Sequence, residues 1–408
     1  MRAAQHAHRV ADPAPMPRVD LIYCNAGGGH RAAAEALREV MQQPGSPWQV
    51  RLWNLFELLD PHGRFRRLTG MPPEDLYNRR LARGWTWGMG QELKLLQAAI
   101  RLAHPQLVQR LQRHWQQAAP ELVVSLLPNF NMALAHSLQA ACPGVPFVTV
   151  LTDLADLPPH FWIERGAGQH VICGTDRAAA QARALGIDSR HLHRCSGMVL
   201  RPTFYAPDAQ PRPAARAALG LDASTPTGAV LFGGHGSQRM LDIAAALPEV
   251  PLILLCGHNE LLAARLRALP ARAPRVVLGY TQAVAQYLRL ADFFIGKPGP
   301  GSLSEALHCG LPVIVTRNAA TLPQERFNTD WVLDQGVGRV VGSLSGLPAA
   351  VQALCAQLPA MRQRVHRLDN RALFEIPQIL GRILAPPGTV ARPGTAANDG
   401  ALPQSRVR

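Results

Sequence analysis

The sequence predicts an α/β fold made of two similar-sized, doubly wound domains of parallel sheet. From residue 19 onward, short β-branched or apolar runs alternate with Ala-, Leu- and Arg-rich stretches of helical period, the pattern of strands covered by crossover helices. A Pro-rich polar stretch at 201–228 breaks the rhythm, which restarts beyond it; proline removes backbone donors that a regular element needs. The length, 408 residues, accommodates about two or three domains with ample core.

In order along the chain, VDLIYC (19–24) reads as a buried strand, NAGGGH as a turn and RAAAEALREVMQQ (31–43) as a helix. Strands follow at WQVRLW (48–53), LVVSLL (122–127), FVTVLT (147–152) and HVIC (170–173), completing one sheet. Past the interruption, GAVLFGG (228–234), LILLC (252–256), RVVLGY (275–280) and DFFIG (292–296) each precede a helical stretch, and LPVIVT (311–316) closes the series. The expected divisions are a flexible N-terminus at 1–18, a first domain at 19–205, a linker at 206–228, a second domain at 229–385 and a disordered tail at 386–408.

Composition narrows the function classes. The longest apolar runs, VPFVTVL (145–151) and VPLILLC (250–256), fall far short of the roughly 20 residues that a spanning helix needs. The basic N-terminus lacks the apolar segment of a secretory signal, so a cytoplasmic protein is expected. Seven scattered cysteines show no zinc-ligand spacing and read as reduced, mostly buried small hydrophobes. The formal charge of +14 implies a polyanionic neighbour: nucleic acid, an anionic membrane or a phosphorylated ligand. No RNA-reading motif or recognition-helix signature accompanies it, so nucleic acid is not expected, and a basic nucleic-acid-binding protein stands only as the alternative of another class.

Three glycine-rich turns sit where a strand hands over to a helix, the place where open α/β sheets bind ligands. In the first, Gly27, Gly28 and Gly29 let a ligand approach the backbone, and His30 stands at the rim. The second is Gly233-Gly234-His235-Gly236-Ser237-Gln238, neither a GxxxxGK(S/T) phosphate loop nor a GxGxxG dinucleotide turn. The third, Gly296-Lys297-Pro298-Gly299-Pro300-Gly301-Ser302, leads into a helix carrying Glu305. A carboxylate there accepts two hydrogen bonds from a ribose diol, and Lys297 presents a point charge to phosphate. The bland alternative for Glu305 is a helix-start carboxylate complementing the macrodipole.

Taken in order, AGGGHRAAAEAL (26–37), TDL with HFW (152–154, 160–162), GMVLRPTF (197–204), FGGHGS (232–237), LCGHN (255–259), LGY (278–280) and GKPGPGSLSEALHCGLPVIV (296–315) resemble the monogalactosyldiacylglycerol synthase and diacylglycerol glucosyltransferase family. These are GT-B glycosyltransferases, related to the peptidoglycan N-acetylglucosaminyltransferase. The resemblance runs over about residues 20–340 and implies two Rossmann-like domains facing a central cleft. It further implies a UDP-sugar, UDP-glucose or UDP-galactose, in the second domain: Gly279, Tyr280 and Thr281 near uracil, Glu305 on the ribose, and Gly234, His235, Gly236, Ser237, Lys297, Gly299, Pro300, Gly301 and Ser302 around the diphosphate and sugar. The acceptor falls to the first domain, to Gly27, Gly28, Gly29, His160 and Trp162. Such enzymes invert the anomeric centre by direct displacement, with His30 or Asp153 as the base or as a group that orients the acceptor. No DxD pair stands where a metal-bound diphosphate requires one, so neither metal nor cofactor is expected, the UDP-sugar being a substrate.

The acceptor implied is a lipid, diacylglycerol above all, with a polyprenyl or natural-product hydroxyl as the alternative. Residues 61–115 hold ten Lys or Arg against three acids, about half of the net charge. Arg66, Arg67, Arg79 and Arg80 lie near Trp85 and Trp87 there, a combination that suits docking on anionic headgroups at the inner face of a membrane. The alternative is a solvated basic face on core helices.

Overall fold

A computed structural model describes residues 16–385 other than 27, 72–73, 76–88, 158–160, 209 and 320. Most of the expected N-terminus and all of the tail at 386–408 therefore lie outside the described residues. Two six-stranded sheets form, all parallel. The first contains β1 (Arg18–Tyr23), β2 (Gln49–Asn54), β3 (Leu122–Ser125), β4 (Phe147–Val150), β5 (His170–Cys173) and β6 (Leu192–Arg194), in the order β2-β1-β3-β4-β5-β6. The second contains β7 (Gly228–Leu231), β8 (Leu252–Leu255), β9 (Arg275–Leu278), β10 (Phe293–Gly296), β11 (Val313–Thr316) and β12 (Gly338–Val341), in the order β12-β11-β10-β7-β8-β9. The central strands are buried on both faces, which is why they read as continuous apolar runs. Among the described residues, only the edge strands β6 and β12 escape the sequence reading.

Strand order reverses between β1 and β3 in one sheet and between β7 and β10 in the other. A crevice opens at such a switch point, beyond the carboxyl ends of the strands. The turn after β1, the turn after β7 and the turn after β10 are the three glycine-rich turns of the sequence.

Two expected boundaries need correction. The segment 206–228 is no free linker: it forms the helix Arg212–Ala218, fastened to the second domain. The Arg216 guanidinium is fully buried and donates to Asp292, Thr227 Oγ1 and the carbonyls of Asp222, Thr225 and Leu290. Arg212 and Arg362 also reach Asp292, at 2.7 and 2.6 Å. At the other end, the helix Ala372–Leu384 belongs to the first sheet's core, not to a domain running through 385. Its Leu373, Ile376 and Leu380 pack with Val19, Leu21, Leu37, Val124 and Ile172.

The chain therefore crosses between domains twice, near 196–201 and near 366–371. The crossings are tied together: Asn370 Nδ2 donates to the Met198 carbonyl at 2.9 Å, Ser196 donates through N and Oγ to Glu375, and the Arg371 amide donates to Ser196 Oγ. Gly197 lies so near Asn370 that a Cβ would fall 2.7 Å from its Cγ. Among the described residues no helix is long and apolar enough to cross a membrane.

Candidate functional site

The carboxyl ends of the two sheets face each other across a cleft of about 860 Å³. Its lining comes from the loops that follow β1, β3, β4, β6, β7, β8, β9, β10 and β11, with Phe56 after β2 and the helix Met89–Ala118 adding to it.

On the first-domain wall, Gly28 takes a left-handed conformation (φ 78°) that favours glycine, ahead of the helix Gly29–Met41. Gly28, Gly29 and His30 line the cleft, and Gly27 lies outside the described residues. His30 Nδ1 is hydrogen-bonded to Thr152 Oγ1 at 3.0 Å, and its ring tilts against the Trp162 indole at 5.7 Å. Burial pushes the imidazole down to about 4, against an opposing contact with the Leu126 backbone. Asp153 is buried at the same wall and accepts from Trp162 Nε1 at 2.8 Å. Burial pushes this carboxyl up to about 7; the Trp162 bond and Lys297 work against the rise, whereas Glu325 and Asp156 add to it. Burial disfavours the charged form in each case, which raises an acid and lowers a base.

Trp162 was expected to touch the acceptor, but its side chain is fully buried behind the wall. It contacts both His30 and Asp153. His160 lies outside the described residues.

On the second-domain wall, Gly234, Gly279, Tyr280, Thr281, Lys297, Gly299, Pro300, Gly301, Ser302 and Glu305 all line the cleft. His235, Gly236 and Ser237 do not. Gly236 closes the turn (φ 60°), with space for no Cβ beside the Cys256 carbonyl and Leu262. Ser237 Oγ accepts from the Arg239 amide at the head of the helix Arg239–Ala246. His235 approaches His258, which stacks on Tyr280 at 4.1 Å and 17°. Tyr280 is thus braced as a flat platform at the rim. Lys297 is not a lone charge aimed at phosphate: its Nζ donates to buried Glu325 at 2.8 Å. Pro300 opens the helix Pro300–His308 at its first position, where the missing N–H costs nothing. Glu305 reaches into the cleft opposite Arg201, Oε1 to Nη2 at 3.5 Å. Burial raises the Glu305 carboxyl to about 7, with Arg201 opposing the rise.

Sequence reasoning passed over Arg201, Gln324 and Glu325, all in the lining. Arg201 stood inside the GMVLRPTF stretch, and Pro323–Glu325 forms a turn after β11, one more strand end facing the cleft. Also unforeseen is an apolar branch at the first-domain end, lined by Phe56, Leu93, Leu96, Leu127, Phe130 and Phe161. Glu35, Glu74 and Glu92 border it.

Outside the cleft, Arg66 and Arg67 are exposed on the helix Arg64–Thr69, beside part-exposed Phe65. Arg79, Arg80, Trp85 and Trp87 lie outside the described residues. The helix Met89–Ala118 exposes Leu95 (71%) and Leu102 (86%), two turns apart on one stripe. Lys94 and Arg101 are exposed next to them.

No family model matches the chain. Monogalactosyldiacylglycerol synthase 1 of Arabidopsis thaliana is 26% identical over 386 residues, covering 88% of this chain and 69% of that protein. The Spinacia oleracea enzyme is 26% identical over 350 residues, covering 81% and 65%. The chain has the two-domain GT-B architecture and is similar over most of its length to the monogalactosyldiacylglycerol synthases. The alignment spans about two thirds of each plant protein. Among solved structures, Acinetobacter baumannii MurG superposes with a TM-score of 0.55 at 14% identity, covering 90% of this chain and 99% of that one. UDP-GlcNAc 2-epimerase from Neisseria meningitidis, bound to UDP-GlcNAc, superposes equally well (0.55) at 12% identity, covering 90% and 100%. An epimerase shares the architecture, so the reaction has to be argued from the site.

Proposed function

We propose that the chain moves a hexose from a UDP-sugar to the hydroxyl of diacylglycerol at a membrane surface, with inversion at the anomeric carbon. One observation carries this reading: a single cleft joins a half furnished with glycine turns, Glu305, Arg201 and a stacked Tyr280 to a half that is apolar, with Asp153 and His30 at the seam. The names of the plant homologues and the UDP-sugar held by the superposable epimerase agree with it.

In the displacement, the acceptor oxygen bonds to C1 of the sugar while the bond from C1 to the diphosphate oxygen breaks, its electrons leaving with UDP. The acceptor proton passes to Asp153, the stronger base of the pair, while His30 orients the hydroxyl. Charge on the departing diphosphate falls to Arg201, the Gly233–Gly234 amides and the N-terminus of the helix Pro300–His308. Glu325, held by Lys297, and Gln324 are placed to read sugar hydroxyls. The acceptor enters from a bilayer on which Leu95, Leu102 and Phe65 sit, flanked by Lys94, Arg101, Arg66 and Arg67.

The deciding experiment incubates the full chain with labelled UDP-galactose or UDP-glucose and anionic vesicles containing diacylglycerol, and identifies the product by mass. A monohexosyldiacylglycerol is expected. Transfer from neither donor would overturn the reading.

A further inference from the structure

Glu305 is a largely buried carboxylate, its side chain 18% exposed, and the side chain opposite it is Arg201. An enclosed carboxylate needs a counter-charge or strong donors, and at 3.5 Å the guanidinium supplies one. A ribose diol makes its two hydrogen bonds to the same carboxylate, so ribose and guanidinium compete for the Oε1 edge. Arg201 is also no ordinary wall residue. It sits at the end of the first interdomain crossing, its guanidinium 5.5 Å from the Phe204 ring centroid. Three residues earlier, the Met198 carbonyl is bonded to Asn370 of the second crossing.

We propose that Arg201 is a displaceable latch on Glu305: a nucleotide ribose binds by breaking this ion pair. The latch rests on the reading of Glu305 as the ribose acceptor, and the test separates the two.

Uridine is the probe, because it carries the ribose but no phosphate and no charge. A neutral ligand shows little salt dependence unless it has to break an ion pair, and ion pairs are screened by salt. Calorimetric titration of the full chain with uridine is therefore expected to show tighter binding at about 500 mM than at about 20 mM NaCl, where screening is weak. Arg201→Ala is expected to tighten uridine binding by about two- to fivefold, the range for a partly exposed ion pair, and to abolish the salt dependence. Arg201→Lys, which keeps the charge, should retain it. Glu305→Gln should weaken uridine binding and remove the salt dependence as well. If Glu305→Gln leaves uridine affinity unchanged, the ribose reading falls and the latch with it. If Glu305→Gln weakens binding while Arg201→Ala changes neither affinity nor salt dependence, the latch is overturned and the ribose reading stands.

Discussion

His30 and Asp153 stand at the same wall, and burial drives them in opposite directions, to about 4 and about 7. A general base works in its deprotonated form, so the acid limb of the rate profile marks which group is used. With Asp153 as base, kcat/KM rises with pH through about 7; with His30 it rises through about 4. We expect the limb near 7, and a loss of about a hundredfold or more in kcat for Asp153→Asn with UDP affinity retained. Trp162→Phe removes the indole donor that favours the charged carboxylate and should move the limb upward by about one unit. A limb that stays in place would separate Trp162 from the chemistry. The sequence brought both candidates to one site but left them unranked, because the ranking comes from burial and from Trp162, whose indole turns away from the cleft. The partner of Lys297 was not legible for a similar reason: Glu325 lies 28 residues on, a separation that no helical or strand period links.

At the scale of elements, the central strands were legible because burial on both faces leaves an uninterrupted apolar run. The edge strands were not: β6 is the three residues LHR, half-exposed and polar, and β12 begins with Gly338 and Arg339. The helix Arg212–Ala218 hid behind its prolines, and the anchor that makes it ordered is a tertiary one, Arg216 on Asp292. The three glycine turns were found from their glycines and their place between strand and helix, and strand order explains why all three face one cleft. The helix Ala372–Leu384 is the clearest case of a helix whose sequence shows its apolar stripe but not its partner. Leu380→Ala is expected to destabilise the fold by about 2–5 kcal/mol, the usual cost of a buried leucine truncation, measured by denaturant unfolding. A cost below about 1 kcal/mol, that of a surface substitution, would detach this helix from the first sheet.

For the whole molecule, the charge of +14 takes on a direction. Exposed cations neighbour Phe65 on the helix Arg64–Thr69 and Leu95 and Leu102 on the helix Met89–Ala118, whose Leu93 and Leu96 line the cleft. Replacing Leu95 and Leu102 together by Ser should weaken binding to anionic vesicles at least about tenfold, since each buried leucine contributes about 1.5–3 kcal/mol. UDP affinity should stay unchanged, and unaltered vesicle sedimentation would move the docking face elsewhere. The double crossing has a further consequence in time. The first sheet begins at Arg18, yet the helix that covers its apolar face ends at Leu384. At translation rates of about 5–20 residues per second, Val19, Leu21 and Val124 wait roughly tens of seconds for Leu373, Ile376 and Leu380. A nascent chain in that interval presents an uncovered apolar surface to its surroundings, so its yield in a cell should depend on chaperone capacity during synthesis more than on the stability of the finished fold.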